Sequence, residues 1–244
     1  MAGRDIKALT FDVFGTVVDW RNSIAAEAET LLAAEGYAMD GQAFALAWRA
    51  RYQPSMEKVR AGRRPFVKLD VLHRENLLEV LEAFELEGLS APAIDRLNRA
   101  WHRLAPWPDV VDGLVRLKQN HIIAPLSNGN VALMVNLAKQ AGLPWDVILG
   151  AEVAGAYKPD PEAYRRAASL LDLDPGDCLM VAAHNSDLVA AAAIGMKTAF
   201  VPRIDEYGPG QTTDLAAEHN FDIVAADFVD LAGKLEAQAA QTDA

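Results

Sequence analysis

Four short stretches of the chain carry residue types from which an active site can be built. The first is Thr10-Phe11-Asp12-Val13-Phe14-Gly15-Thr16, an aspartate leaving an apolar run, followed by a glycine and a hydroxyl. A carboxylate emerging from a buried segment costs free energy unless it has partners or a task. The second, Leu126-Ser127-Asn128-Gly129, ends a similar run with small polar residues that can offer donors to an anion. Lys158-Pro159-Asp160-Pro161 places a cation just before a segment that either proline can open as a helix. The fourth, Val181-Ala182-Ala183-His184-Asn185-Ser186-Asp187, brings a histidine and a second aspartate. One at a time each has a plain reading: a turn-starting Asp, a polar turn, a surface Lys, a helix N-cap.

Their setting is more telling. Residues 8–11, 122–126, 147–149, 179–182, 198–201 and 223–224 form short, almost wholly apolar runs, as expected of strands buried on both faces of a parallel sheet. Helical periodicity fills 110–118, 131–141, 161–171 and 188–194 between them. Strand alternating with helix predicts βαβ units and an α/β fold, a doubly wound parallel, Rossmann-like sheet. From 19 to 104 the texture changes to helix alone, with apolar residues at three- and four-residue spacing over 24–34, 44–56 and 67–84. The reading is a core of residues 1–17 and 105–244 with a helical cap, 18–104, inserted after the first strand. Ligands of such sheets sit beyond the carboxyl ends of the strands, where all four stretches fall.

Asp-x-x-Gly-Thr, then Ser-Asn, then Lys-Pro, then a loop ending in Asp, in that order on alternating strands and helices, resembles the haloacid dehalogenase superfamily. The resemblance spans essentially the whole chain. Within the superfamily the chain is similar to the L-2-haloacid dehalogenases (type II). The further matches are Trp48-Arg49, Arg103-Leu104-Ala105-Pro106-Trp107, Ser127-Asn128-Gly129 and Tyr157-Lys158-Pro159-Asp160 with Tyr164.

That resemblance implies a hydrolytic dehalogenase turning short (S)-2-haloacids into (R)-2-hydroxyacids and halide, without metal or cofactor. Asp12 is implied as the nucleophile that forms an aspartyl ester, with Lys158 keeping it ionised. Ser127 and the backbone amides of Val13 and Phe14 are implied to bind the substrate carboxylate, and Arg49 and Asn128 the departing halide. Asp187 is implied to position or activate the hydrolytic water. Thr16, Tyr164 and His184 support, while Phe14 and Trp107 form an apolar wall. For His184 two readings stand open: a share in the base role, or a neutral ring satisfying a backbone group.

Two absences separate this reading from a Mg²⁺-dependent small-molecule phosphatase of the same superfamily. Phosphoryl transfer there uses an acid two residues after the nucleophile, where this chain has Phe14. It also uses a metal-holding carboxylate four residues before Asp187, where it has Ala183. Chloride and bromide leave unprotonated and need neither. The chain departs from many dehalogenases in reading Ala-Ala-His-Asn-Ser-Asp in the fourth motif, and Phe14 where tyrosine is frequent. A third reading is a non-catalytic binding protein that keeps the fold.

Other residues read as structural. Met39, Met56, Met134 and Met196 fill core gaps, Trp20, Trp101 and Trp145 pack, and the arginines of 60–64 form a solvated loop. His73, His102, His121 and His219 show no metal-ligand spacing. The 244 residues are 51% apolar and 23% charged, which excludes a disordered or fibrous chain. A net charge of −11 disfavours nucleic acid and anionic membrane as partners. A single Cys178 excludes an internal disulfide framework. The opening residues carry no apolar signal core, and the longest apolar stretch, 188–196, is far below the roughly 20 residues of a membrane span. The expectation is a cytoplasmic protein with a small anionic 2-haloacid as partner, homodimeric as such enzymes commonly are.

Overall fold

The computed structural model describes residues 5–86 and 88–242. Residues 1–4, where a signal segment was looked for, and 243–244 lie outside them. Strand β1 (Ala8–Phe11) opens the chain and is followed by a two-residue strand β2 (Val18–Asp19). Five helices come next: α1 (Trp20–Ala34), α2 (Gly41–Ala50), α3 (Tyr52–Arg60), α4 (Leu69–Ala83) and α5 (Ala91–Asn98). A single turn of 3₁₀ helix, Arg99–His102, leads to β3 (Ala105–Pro106), which pairs antiparallel with β2. This small ribbon is where the chain leaves the sheet layer and returns to it.

From there strand and helix alternate: α6 (Val110–Leu117), β4 (Ile122–Ser127), α7 (Val131–Ala141), β5 (Leu149–Gly150), α8 (Ala151–Ala154) and α9 (Pro161–Leu170). Then come β6 (Cys178–Ala182), α10 (Asn185–Ala193), β7 (Lys197–Phe200), β8 (Ile223–Val224) and α11 (Phe228–Thr242). The sheet is parallel throughout, in the order β5-β4-β1-β6-β7-β8. It is the predicted α/β fold, with β1 central and the strand order reversing beside it.

Alternation along the strands divides the core. Leu9, Phe11, Ile123, Leu179 and Val181 face one way, into a cluster shared with Leu114 of α6, Leu137 of α7 and Phe228 of α11. Ala8, Ala124, Leu126, Met180 and Ala182 face the other, against Tyr164 and Ala167 of α9 and Leu188 of α10. The period of two in a pleated strand requires this split. The all-helical block packs α1 on α2 and lays α4 against α2 and α3.

Local chemistry moves several boundaries. The helix expected over 44–56 is two helices, because an unbroken one would need an N–H from Pro54 to reach the carbonyl of Ala50. Instead Arg51 closes α2 by donating its N–H to Trp48 O at 3.2 Å, and Pro54 falls in the first turn of α3, where N–H groups lack partners anyway. The strand expected over 147–149 is displaced to Leu149–Gly150. Asp146 is held back beside β4, its N–H on Ile123 O at 2.9 Å and its carboxylate on Ile123 N. Helix α10 starts three residues before the predicted 188, so Asp187 lies in its first turn, where the helix dipole favours an anion.

Candidate active site

Asp12 directly follows β1 and emerges at the carboxyl edge of the sheet between β4 and β6. Its N–H still donates to Val181 O at 3.0 Å, which prolongs the sheet by one residue. The chain then turns at Gly15, whose φ of +93° suits glycine. A Cβ there would lie 2.1 Å from Glu206 Oε1, so the carboxylate of Glu206 occupies that side of the turn. The N–H groups of Val17 and Val18 both donate to Val13 O. Among the described residues, those of Val13 and Phe14 donate to no protein group.

Three side chains close on the Asp12 carboxylate. Lys158 Nζ donates to Oδ1 at 2.9 Å. Thr16 Oγ1 donates to Oδ2 at 2.7 Å while accepting the N–H of Ala183 at 2.9 Å. His184 Nδ1 lies 3.1 Å from the same Oδ2. Burial alone would push the Asp12 carboxyl up, but Lys158 and His184 reverse this and hold it well below the usual carboxylate range. The Asp12 carboxyl is thereby favoured as the anion.

Lys158 also donates to Asp187 Oδ2 at 2.5 Å, and Tyr164 donates its hydroxyl to Asp187 Oδ1 at 2.6 Å. Burial opposes the Lys158 charge, yet the two carboxylates outweigh it and raise its pKa. Tyr164 is pushed up by burial and by the Asp187 charge, so it stays a donor. The backbone of Lys158 is fixed from both sides. Its N–H donates to Asn128 Oδ1 at 2.8 Å, and its carbonyl accepts Arg60 Nη1 at 3.1 Å. The arginine loop read as solvated therefore reaches the site, as does Val67, whose carbonyl accepts the neighbouring Tyr157 hydroxyl at 2.7 Å.

A cavity of about 220 Å³ opens over Asp12, walled by Phe14, Arg49, Tyr52, Asn128, Tyr164 and His184 among others. Arg49, in the last turn of α2, lays its guanidinium 4.2 Å from the centre of the Tyr52 ring and 5.2 Å from that of Trp20. Its buried Nη1 has no protein partner. Burial opposes its charge, but Tyr52 and more distant anions including Glu206 and Asp12 favour it. Asn128 stands beside the Tyr52 hydroxyl. Phe14 is set edge-on to Trp101, with ring centres 5.6 Å apart.

Two expected wall or binding residues sit elsewhere. Trp107 is not on the cavity wall. Its indole N–H donates to Gly15 O at 2.9 Å from behind the loop, and the Arg203 guanidinium lies 5.6 Å from the ring centre. Ser127 is fully buried beneath the wall, because its Oγ is turned to accept the N–H of Gly129 at 3.0 Å. Both residues shape the loops that carry Asp12 and Asn128.

Glu206 is a member of the candidate site that sequence reasoning missed. It is 1% exposed and accepts His184 Nε2 at 2.9 Å through Oε2 and Trp20 Nε1 at 2.8 Å through Oε1. Nothing marks it in the chain, where it follows Ile204-Asp205 in an aperiodic stretch. Tyr52 carried a faint signal in its place three residues after Arg49. His184 lies between two carboxylates, an environment that favours the charged ring over the neutral one. Burial would lower its pKa, but Glu206 and Asp12 raise it well above the usual value. Both ring nitrogens are then donors.

Comparison with known proteins agrees with this geometry. Residues 6–195 match the family model of haloacid dehalogenase-like hydrolases. The chain is 29% identical to an (S)-2-haloacid dehalogenase 4A of Burkholderia cepacia over 81% of this chain and 84% of the other. The solved structure of the defluorinating L-2-haloacid dehalogenase Rha0230 superposes with a TM-score of 0.94 at 51% identity, covering 96% of both chains. That of the L-2-haloacid dehalogenase PA0810 does so with 0.91 at 47%, covering 95% and 99%. With the family model matching more than half of its length and solved dehalogenase structures superposing on nearly all of it, the chain belongs to the haloacid dehalogenase-like hydrolases.

Proposed function

We propose that the protein is a hydrolytic dehalogenase that converts short (S)-2-haloacids into (R)-2-hydroxyacids and halide through an ester on Asp12. The observation that carries this is the state of the Asp12 carboxylate, an enforced anion with its Oδ1 held by Lys158 alone. Oδ1 attacks C2 of the substrate and the halide leaves on the opposite side. Negative charge developing there meets the Arg49 guanidinium, which carries an unpaired Nη1, and Asn128. The unengaged N–H groups of Val13 and Phe14 take the substrate carboxylate. Asp187, anchored by Lys158 and Tyr164, accepts a proton from the water that opens the ester.

The same donor set fits a Mg²⁺ ion poorly. The ion wants near-octahedral oxygen ligation, whereas the Lys158 ammonium fills the gap between Asp12 and Asp187. Among the described residues no three His, Cys, Asp or Glu side chains are grouped to hold an ion.

A single turnover in ¹⁸O-water, enzyme in excess and chelator present, tests the scheme. Halide release with label in the Asp12 peptide supports it, and label in the hydroxyacid from that first turnover overturns it. Phosphate-ester hydrolysis that needs Mg²⁺ would point to the phosphatase reading instead. Likeness to a defluorinating enzyme adds fluoroacetate to the substrates worth assaying.

The protein acts in the cytoplasm as a homodimer. The lone thiol, Cys178, is buried, in keeping with a reducing compartment. Val71 and Leu78, one face of α4, expose apolar surface that a second copy would cover. Among the described residues no helix is long and apolar enough to cross a membrane. Light scattering after gel filtration reads the assembly state directly.

A further inference from the structure

The proposed scheme leaves one pair without a task, the half-buried His184 with the buried Glu206. We propose that His184 and Thr16 form the oxyanion hole of the ester-opening step, with Glu206 the positioning residue that fixes the imidazole in place. This rests on the dehalogenase reading above and assigns the half of the carboxylate that does not attack.

The two oxygens of Asp12 are unlike. Oδ1 meets only Lys158, whereas Oδ2 meets two groups, Thr16 Oγ1 at 2.7 Å and His184 Nδ1 at 3.1 Å. Attack by Oδ1 makes it the alkyl oxygen of the ester and leaves Oδ2 as the carbonyl oxygen. Water then adds to Cγ, and the carbonyl electron pair moves onto Oδ2, where both donors already point. Collapse restores the carbonyl and breaks the Cγ–Oδ1 bond. The hydroxyacid departs with Oδ1, and the water oxygen stays on Asp12. One water proton passes through Asp187 to the departing oxygen, and the other goes to solvent as Asp12 ionises again.

A histidine can stand there as a donor only if its far nitrogen is also satisfied. Glu206 does this at 2.9 Å, and its own second oxygen is fixed by Trp20 at 2.8 Å. Glu206 and Asp12 together keep the ring charged against the effect of burial. The remaining charged groups around the cavity are Lys158, Asp187, Asp214 and Arg49, with the tyrosine hydroxyls of 52, 164 and 207. A donor of this kind differs from a base in its pH sign. A base needs the neutral ring and gains as pH rises, while the imidazolium donor is lost.

Rapid-quench kinetics with 2-chloropropionate, followed by intact-protein mass spectrometry, separates the two half-reactions. His184→Ala should still release about one halide per enzyme in a burst. It should then accumulate the adduct, with ester opening slowed about 10²–10³-fold, the usual loss for one oxyanion donor. His184→Asn, which restores an N–H near Nδ1, should recover part of that loss. In the wild type, ester opening should fall at alkaline pH, and Glu206→Gln should move that fall to lower pH with KM little changed. The proposal is overturned if His184→Ala opens the ester within threefold of wild type, if halide burst and ester opening decline together, or if ester opening rises through the same pH range. A wild-type enzyme giving neither halide nor adduct overturns the dehalogenase reading itself.

Discussion

The two walls of the cavity solve the problem of burying polar groups in opposite ways. On the sheet side every charge is compensated within hydrogen-bond reach: Asp12 and Asp187 by Lys158, His184 by Asp12 and Glu206. On the helical side Arg49 Nη1 faces the cavity's layer without a protein partner, and behind that wall both ring nitrogens of His73, Asn76 Nδ2 and Trp101 Nε1 are likewise buried without one, among stacked and edge-on aromatic rings. The sheet side is a fixed electrostatic frame that holds one charge state. The helical side is an aromatic-backed lining with an uncommitted donor at Arg49 Nη1, suited to an anion that comes and goes. That contrast suits the proposed reaction, in which the attacking carboxylate stays and the halide leaves.

Removing the central cation should have the largest effect. Lys158→Met leaves two buried carboxylates facing each other, and halide release should fall by about 10³-fold. Losing one partner of a buried pair should also cost about 3–5 kcal/mol of stability, read from the urea midpoint. Arg49→Met, on the other wall, should lower the rate of ester formation about 10²-fold while the fold keeps its stability. If it destabilises the protein as much as Lys158→Met does, the two walls are not different in kind.

The third prediction concerns acid stability. Burial holds the His73 ring down at about 3 against an ordinary 6.5, so between those values the unfolded chain binds a proton that the folded one refuses. Stability should therefore fall as pH drops from 6.5 toward 3, by about 1.4 kcal/mol per pH unit for this group. His73→Leu should flatten that slope in denaturation curves at pH 7 and pH 5. The smallest effect belongs to Trp107. Trp107→Phe loses one hydrogen bond to Gly15 O and should cost about 1 kcal/mol, leaving KM unchanged because the ring does not touch the cavity.

Much of the frame was legible because strand ends in a buried parallel sheet are punctuated sharply. Asp12, Ser127, Lys158 and Asp187 each interrupt or follow an apolar run, and the fold brings Asp12 and Asp187 each within hydrogen-bond distance of Lys158. Ser127 was found but not its orientation, since whether a hydroxyl turns outward or onto the next N–H leaves no trace in residue type. Trp107 was misplaced for a related reason: the sequence does not say which side of the Gly15 turn a ring will take. Glu206 was invisible because its value lies wholly in distant partners, Trp20 and His184, 186 and 22 residues away. Pro54 could have been read as the end of α2, since its missing N–H is a local fact.

The Arg60 and Val67 contacts reach from the helical block to the Lys158 carbonyl and the Tyr157 hydroxyl. The two layers therefore meet through the same segment that carries the ammonium group. A hinge motion that uncovered the cavity would pull on that segment and loosen the grip on Asp12. Under the proposed scheme, admitting a new molecule and positioning the attacking carboxylate would then be linked through one stretch of chain, and a carboxylate left open to bulk water would be a weaker attacker than one under a closed roof.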